Sequence, residues 1–348
     1  MHMADALISP AAGGAMWAAT AGLIAYSSKK VREEMDDGKV PLMGVLGAFI
    51  FAAQMINFTI PATGSSGHLG GGMILAVLLG PYAAFLTIAS VITVQALFFA
   101  DGGLLALGCN IFNMGFWPCF VTYPFIFRPI FNGPATQTQG RMLTGAMLAC
   151  VVGLQLGAFS VVLETLFSGI SELPFGTFVL MMQPIHLAIG IVEGFVTAAV
   201  VGFVWKARPE LVTHDSNPTY ASPNNMRPVL IGLLICAVIT GAALSWFASA
   251  NPDGLEWAMF KTSSHEELAN PEKGIHASLL HLQKKTAFLP DYGFKADGAE
   301  PKAEAESTPS WPAVSAGTSV AGLVGGALTL FLAVIIGLGL KRRGNHSK

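Results

Sequence analysis

The chain has 348 residues, 53% of them hydrophobic, with 19 Lys and Arg against 21 Asp and Glu and a formal net charge of -2. A soluble domain carries about a quarter charged residues, and the 11% here is too little to cover a water-facing surface. The charges are also segregated, eight in residues 29–39 and sixteen in 250–313, so most of the chain faces lipid. Soluble enzyme folds are excluded, and no basic surface exists for nucleic acid.

Uncharged runs at 6–28, 40–100, 102–127, 142–163, 173–192, 228–252 and 307–340 each reach the roughly 20 residues that a helix needs to cross hydrocarbon. Glycine and proline divide them into predicted helices at about 8–27, 42–58, 68–80, 82–100, 104–127, 142–166, 184–205, 228–249 and 314–340. The predicted fold class is therefore an all-α polytopic membrane protein, because a β-barrel would show short alternating strands instead. A loop falls at 61–67 and a tight turn at Gly80-Pro81. The third helix is short and starts at Gly70-Gly71-Gly72, which places it inside the bundle where other helices shield it.

Lysine and arginine placement supports that division through the positive-inside rule. With the N-terminus outside, segments 29–41, 80–81, 128–141, 206–227 and 341–348 are cytoplasmic and hold 13 of the 19 Lys and Arg. The other six fall in the outside segment 250–313, long enough to be translocated regardless of its charge. Fusing 68–100 into one helix would invert this order and put Arg128, Arg141, Lys206 and Arg208 outside. The predicted organisation is a seven-helix module over 1–206, a polar cytoplasmic linker over 207–227, and a two-helix hairpin module over 228–348 in the plasma membrane, with a cytoplasmic C-terminus. Within 250–313, the Pro-, Glu-, Ala- and Ser-rich stretch 297–312 reads as a flexible tether. Cys109, Cys119, Cys150 and Cys236 lack metal or disulfide spacing and read as packing residues. No positively charged region or cleavage site marks a signal peptide, so the N-terminus is expected to be retained.

Ionisable groups near a membrane are informative because they are few. His2 and His68 both fall on the predicted outer side. A histidine in position two has a specific consequence: the amine of Met1, the amide nitrogen of His2 and its imidazole can chelate one ion in fused rings. The imidazole of His68 would complete an all-nitrogen, roughly square-planar set, the geometry of Ni(II) or Cu(II), with Co(II) also suited, rather than of tetrahedral Zn(II) or oxygen-bound Mg(II). Spacing alone favours an exposed terminus and a helix-capping or packing His68.

The sequence around these residues resembles a known family. Met1-His2-Met3-Ala4-Asp5-Ala6-Leu7-Ile8-Ser9-Pro10, Ser66-Gly67-His68-Leu69, Leu79-Gly80-Pro81, and Gln95-Ala96-Leu97-Phe98-Phe99-Ala100-Asp101-Gly102-Gly103 followed by Leu107-Gly108-Cys109-Asn110-Ile111-Phe112-Asn113-Met114-Gly115 resemble the cobalt/nickel substrate-binding component of energy-coupling-factor transporters, the CbiM/NikM family. The resemblance spans about residues 1–206 and implies metal ligation by Met1, His2 and His68. Met3, Ala4 and Ala6 depart from the family's usual start, although the ligand atoms are kept. Asn251-Pro252-Asp253-Gly254-Leu255-Glu256-Trp257 is similar to the PDGLE signature of the two-helix accessory component, the NikN type. The resemblance implies an ATP-driven nickel or cobalt uptake transporter in which this chain captures the divalent metal outside as transported substrate, without a prosthetic group. It also implies a separate membrane coupling subunit and two cytoplasmic ATPases. No G-x-x-x-x-G-K-[ST] string occurs here to supply ATP binding.

Other polar residues carry two readings each. Glu193, inside a predicted helix, is either functional or a neutral acid bonded to a neighbouring helix, and His186 is either a secondary metal contact or a satisfied interfacial histidine. Gln54, Asn57, Gln95, Asn110 and Asn113 suit interhelical hydrogen bonds, some of them orienting His68. His265, His276 and His281, with Glu266, Glu267 and Glu272, form either a metal-capturing or a solvated loop. Small residues Ala11, Gly14, Ala15, Ala18, Ala19 and Gly22 allow close helix contact, within the bundle or with a partner. Two rival functions remain: a binding component for an organic micronutrient, and an intramembrane serine protease using Ser66 of Gly64-Ser65-Ser66-Gly67 with His186 as base.

Overall fold

The computed structural model describes residues 2–34, 38–132, 137–171, 173–213, 226–265, 268–269, 271, 273–295 and 311–345. The helices are α1 (Pro10–Glu34), α2 (Lys39–Gln54), α3 (Gly72–Leu79), α4 (Pro81–Phe99), α5 (Leu107–Ile111), α6 (Arg128–Phe131), α7 (Gln139–Ser168), α8 (Phe175–Ala207), α9 (Glu210–Thr213), α10 (Arg227–Ala242), α11 (Gly254–Ser263), α12 (Gly274–Thr286) and α13 (Ala316–Asn345). Between α5 and α6 the chain winds wider, as a π-helix over Phe112–Phe127. Pro118 and Pro124 lie within it, and a proline has no N–H to give to the ordinary helical ladder.

Four of these helices contain stretches long and apolar enough to cross a bilayer: Pro81–Phe98, Gln139–Ser168, Phe175–Ala207 and Ala316–Arg342. Lys39–Gln54 and Arg227–Ala242 are apolar but shorter. Exposed Phe125, Phe167, Leu180, Phe195, Phe203 and Phe331 give the outer faces a lipid-compatible surface. The chain is a membrane protein, mostly helical. α7 and α8 pack along each other, and α2 lies against both α10 and α13. α3 is buried over its whole length, as a short helix in lipid must be, and it is separated from α4 at Gly80-Pro81.

Two expectations are corrected. The second predicted helix stops at Gln54, and a two-stranded antiparallel ribbon follows, β1 (Phe58–Ile60) and β2 (Ser65–Gly67), with Thr59 opposite Ser66. The β-branched residues of β1 favour it. The edge of β2 is satisfied from the other half of the chain, since Ser66 N–H donates to Pro252 O at 2.8 Å. The segment 250–313, expected to lie outside, is also no plain loop. Asp253 and Glu256 form a reciprocal cap that starts α11, and α12 turns His276 and Gln283 inward. Residues 297–310 of the expected tether and most of the linker at 207–227 lie outside the described residues.

On α1, Thr20 Oγ1 donates to Gly108 O at 2.8 Å and Trp17 Nε1 to Leu104 O at 3.0 Å. The stripe of Ala11, Gly14, Ala15, Ala18, Ala19 and Gly22 is exposed, so it does not serve packing within the bundle.

Candidate metal centre

The start of the chain is folded into the bundle. Met3 N–H donates to Asn110 Oδ1 at 2.8 Å, and Met3 O accepts from Asn110 Nδ2 at 3.1 Å and from Gly103 N–H at 2.9 Å. Asp5 Oδ1 accepts from Ala106 N–H at 2.9 Å, while Met3, Leu7 and Ile8 are fully buried. Gly103 permits this approach because a Cβ there would overlap Asp5. Residue 2 is thereby fixed beside residue 68: the two imidazoles stack with centroids 5.1 Å apart and planes 10° from parallel.

His68 follows β2 directly. Its Nδ1 lies 3.1 Å from Leu69 O; a carbonyl only accepts, so the proton sits on Nδ1 and Nε2 carries the lone pair that a metal needs. The turn after it is anchored from below. Glu193 accepts from Gly70 N–H at 2.7 Å and from Gly71 N–H at 3.0 Å, one on each oxygen. Gln54 Nε2 donates to Gly70 O at 2.8 Å, and Gln95 Nε2 to Gln54 Oε1 at 2.9 Å. Both oxygens of Glu193 accept from backbone N–H groups, so this side chain on α8 holds the turn that follows His68.

His2 Nδ1 meets Asp101 Oδ1 at 3.1 Å, and Nε2 is buried without a hydrogen-bond partner. Burial alone would raise the Asp101 carboxyl, but the facing His2, with hydrogen bonds from His2 and Tyr292, outweighs it and brings the group down to about 2. Burial first, then neighbouring positive charge including His2, pushes the His68 imidazole down to about 3, so it is neutral at physiological pH. A cavity of about 910 Å³ reaches this pair between the two halves of the chain, lined among others by His2, His68, Asp101, Asp253 and Glu256. Two adjacent imidazoles, one neutral and one paired to a carboxylate, at a cavity lined by both carboxylates and lysines suit a divalent transition metal. Among the described residues no three His, Cys, Asp or Glu side chains converge on a metal position, so the two imidazoles alone would not fill a coordination sphere. Met1 lies outside the described residues.

The remaining candidates separate. Ser66 Oγ donates to Asn251 O at 2.8 Å, and His186 Nδ1 to Met182 O at 2.8 Å. Ser66 Oγ is committed to the Asn251 carbonyl and makes no hydrogen bond with His186, whose buried Nε2 has no partner among the described residues, so the rival Ser66–His186 dyad does not form. His276 is no solvated loop residue: it is buried, with Nε2 donating to Ile8 O at 2.9 Å. His265 and His281 are exposed, while Glu266, Glu267 and Glu272 fall outside the described residues. Asn113 Nδ2 donates to Glu164 Oε2 at 2.8 Å. Sequence reasoning missed Asp101 and Tyr292. Asp101 was visible as a lone charge between two long apolar runs, whereas Tyr292 stands in a polar segment with no periodic signal.

An apolar helical bundle with a half-buried imidazole pair at a cavity fits a component of membrane transport. Residues 2–211 match CbiM, the cobalt uptake substrate-specific transmembrane region, and residues 227–342 match the PDGLE domain. The chain belongs to the CbiM family, with a PDGLE domain following in the same polypeptide. A putative fused nickel transport protein NikMN of Archaeoglobus fulgidus is 32% identical over 341 residues, covering 95% of this chain and 96% of that protein. A putative metal transport protein of Haloquadratum walsbyi is 36% identical over 226 residues, 64% of this chain and 99% of its own length. A crystal structure described as a transition metal transporter superposes with a TM-score of 0.53 at 31% identity, over 62% of this chain and 96% of that one.

Proposed function

We infer that the chain is the substrate-specific component of an ATP-driven nickel uptake system, cobalt being the second candidate. Residues 1–206 capture the ion on the extracytoplasmic side and residues 228–348 assist. The ligands are the Met1 amine, the amide and imidazole of His2, and the imidazole of His68. The observation that carries this reading is the His2–His68 stack, centroids 5.1 Å apart. The relatives named for nickel transport support nickel over cobalt, as does the preference of Ni(II) for a planar nitrogen field.

Chelation by the amide and imidazole of one residue goes through Nδ1, which closes a six-membered ring, while Nε2 is too distant. Because Nδ1 faces Asp101 in the metal-free chain, binding turns the His2 ring about Cβ–Cγ. Asp101 then accepts from Nε2–H, the usual carboxylate support of a metal-bound histidine. The exposed small-residue face of α1 fits docking of the coupling subunit, with ATP hydrolysis on two further subunits.

Metal analysis and nickel titration of the chain with a native N-terminus test this. His2→Ala and His68→Ala should each lose nickel binding by two orders of magnitude or more, about 3 kcal/mol by the usual relation, with melting of the metal-free protein little changed. Retention of nickel by both variants would refute the ligand set. Tight binding of a metal-free organic micronutrient would favour the rival substrate.

A further inference from the structure

The candidate centre is not built by the first half of the chain alone. Tyr292 Oη donates to Asp101 Oδ2 at 2.5 Å, and the other oxygen of that carboxylate meets His2 Nδ1 at 3.1 Å. One carboxylate therefore joins a phenol of the C-terminal module to the imidazole that opens the N-terminal one.

The phenol is held firmly. Its ring stacks on Phe99 with centroids 5.1 Å apart and meets the edge of Phe51 at 6.2 Å. Asp291 and Tyr292 take φ of +49° and +57°, a region that residues other than glycine avoid unless their surroundings impose it. The chain on either side of the Asp101 turn is tied to the same module: Gln283 Nε2 donates to Ala96 O at 2.9 Å and Gly102 O at 2.7 Å, and Leu289 N–H to Phe98 O at 3.2 Å.

We propose that Tyr292 is a positioning residue of the metal centre, fixing the Asp101 carboxylate and through it the ring of His2, so that the C-terminal module sets how tightly the N-terminal module holds a divalent transition metal and how fast it releases it. This rests on the reading of His2 and His68 as ligands. A carboxylate with one partner can rotate and present either oxygen. A second donor on its far oxygen removes that freedom, and ligand orientation follows from such outer partners. The same tie explains why a segment that crosses the outer side carries a strained tyrosine rather than a plain connection.

The test uses the full chain with a native N-terminus in detergent, titrated with Ni(II). Affinity, release rate to a chelator, and the visible absorption of the bound ion are followed. Tyr292→Phe keeps the ring stacking and removes only the donor; it should weaken binding about tenfold, speed release and shift the absorption band, with Asp101→Asn losing about 10–100-fold. In the Asp101→Asn background Tyr292→Phe should add nothing further. Gln283→Leu unties the same turn without touching the carboxylate and should leave the band where it is. An unchanged affinity and band in Tyr292→Phe, simple addition of the two losses, or an equal effect of Gln283→Leu would each reduce Tyr292 to a structural tie and overturn the proposal. His2→Ala separates the two levels: binding lost there but untouched by Tyr292→Phe sinks this proposal alone, whereas binding retained there sinks the ligand reading beneath it.

Discussion

At the scale of single residues, proton competition gives the sharpest check. The His68 imidazole sits at about 3 in the fold, pushed down by burial, against an ordinary value near 6.5 in the unfolded chain. Between those values the unfolded state binds the extra proton, so the metal-free fold loses stability as pH drops from about 6.5 towards 3. His68 itself stays neutral and ready to ligate throughout. Competition for nickel falls instead on the Met1 amine, ordinarily near 7.7, and on the His2 amide, which must shed its proton to bind. Nickel affinity measured from about pH 8 to about pH 6 should fall at least about tenfold per pH unit, with no added step near 6.5 from His68. A flat profile would remove amine and amide from the ligand set. The same scale shows what sequence could and could not supply. His2 and His68 were legible because position two and a sparse polar background mark them, but the service of Glu193 as clamp of Gly70 and Gly71 required knowing that α8 passes beneath that turn.

At the scale of elements, the N-terminal segment behaves as a plug. Met3, Leu7 and Ile8 are fully buried, Met3 is bonded to Asn110 and Gly103, and Asp5 to Ala106, so this segment holds residue 2 beside the imidazole of His68. Adding a tag ahead of Met1 should reduce nickel affinity by orders of magnitude, read by titration before and after proteolytic restoration of the native start. Full affinity in the tagged protein would contradict an amine ligand. The ribbon β1–β2, like α11 and α12, is an element that sequence reasoning did not find. Its three-residue strands are too short to show alternation, and the edge of β2 is completed by Pro252, nearly two hundred positions away.

At the scale of the whole molecule, the two family matches do not correspond to two separate bodies. α2 packs on α10 and α13. At the end of the bundle that holds His2 and His68, Ser249 N–H donates to Asn57 O at 2.7 Å, Trp257 Nε1 to Thr63 O at 3.0 Å, and His276 Nε2 to Ile8 O at 2.9 Å. Expressed as two chains, 1–213 and 226–348, the halves should therefore associate and co-purify in mild detergent. Separation of the halves under those conditions would show that the linker, not the interface, holds them together. Composition and charge segregation by themselves determined that this is a helical membrane chain, because no arrangement of so few charges covers a soluble surface. Position two made an N-terminal chelate possible, and the family resemblance carried by Ser66-Gly67-His68 implied which nitrogens to expect at the metal. Only the tertiary structure decided that Asp101 and Tyr292 stand behind those nitrogens, because a hydrogen bond across 191 positions leaves no mark in local spacing and exists only once both modules have packed.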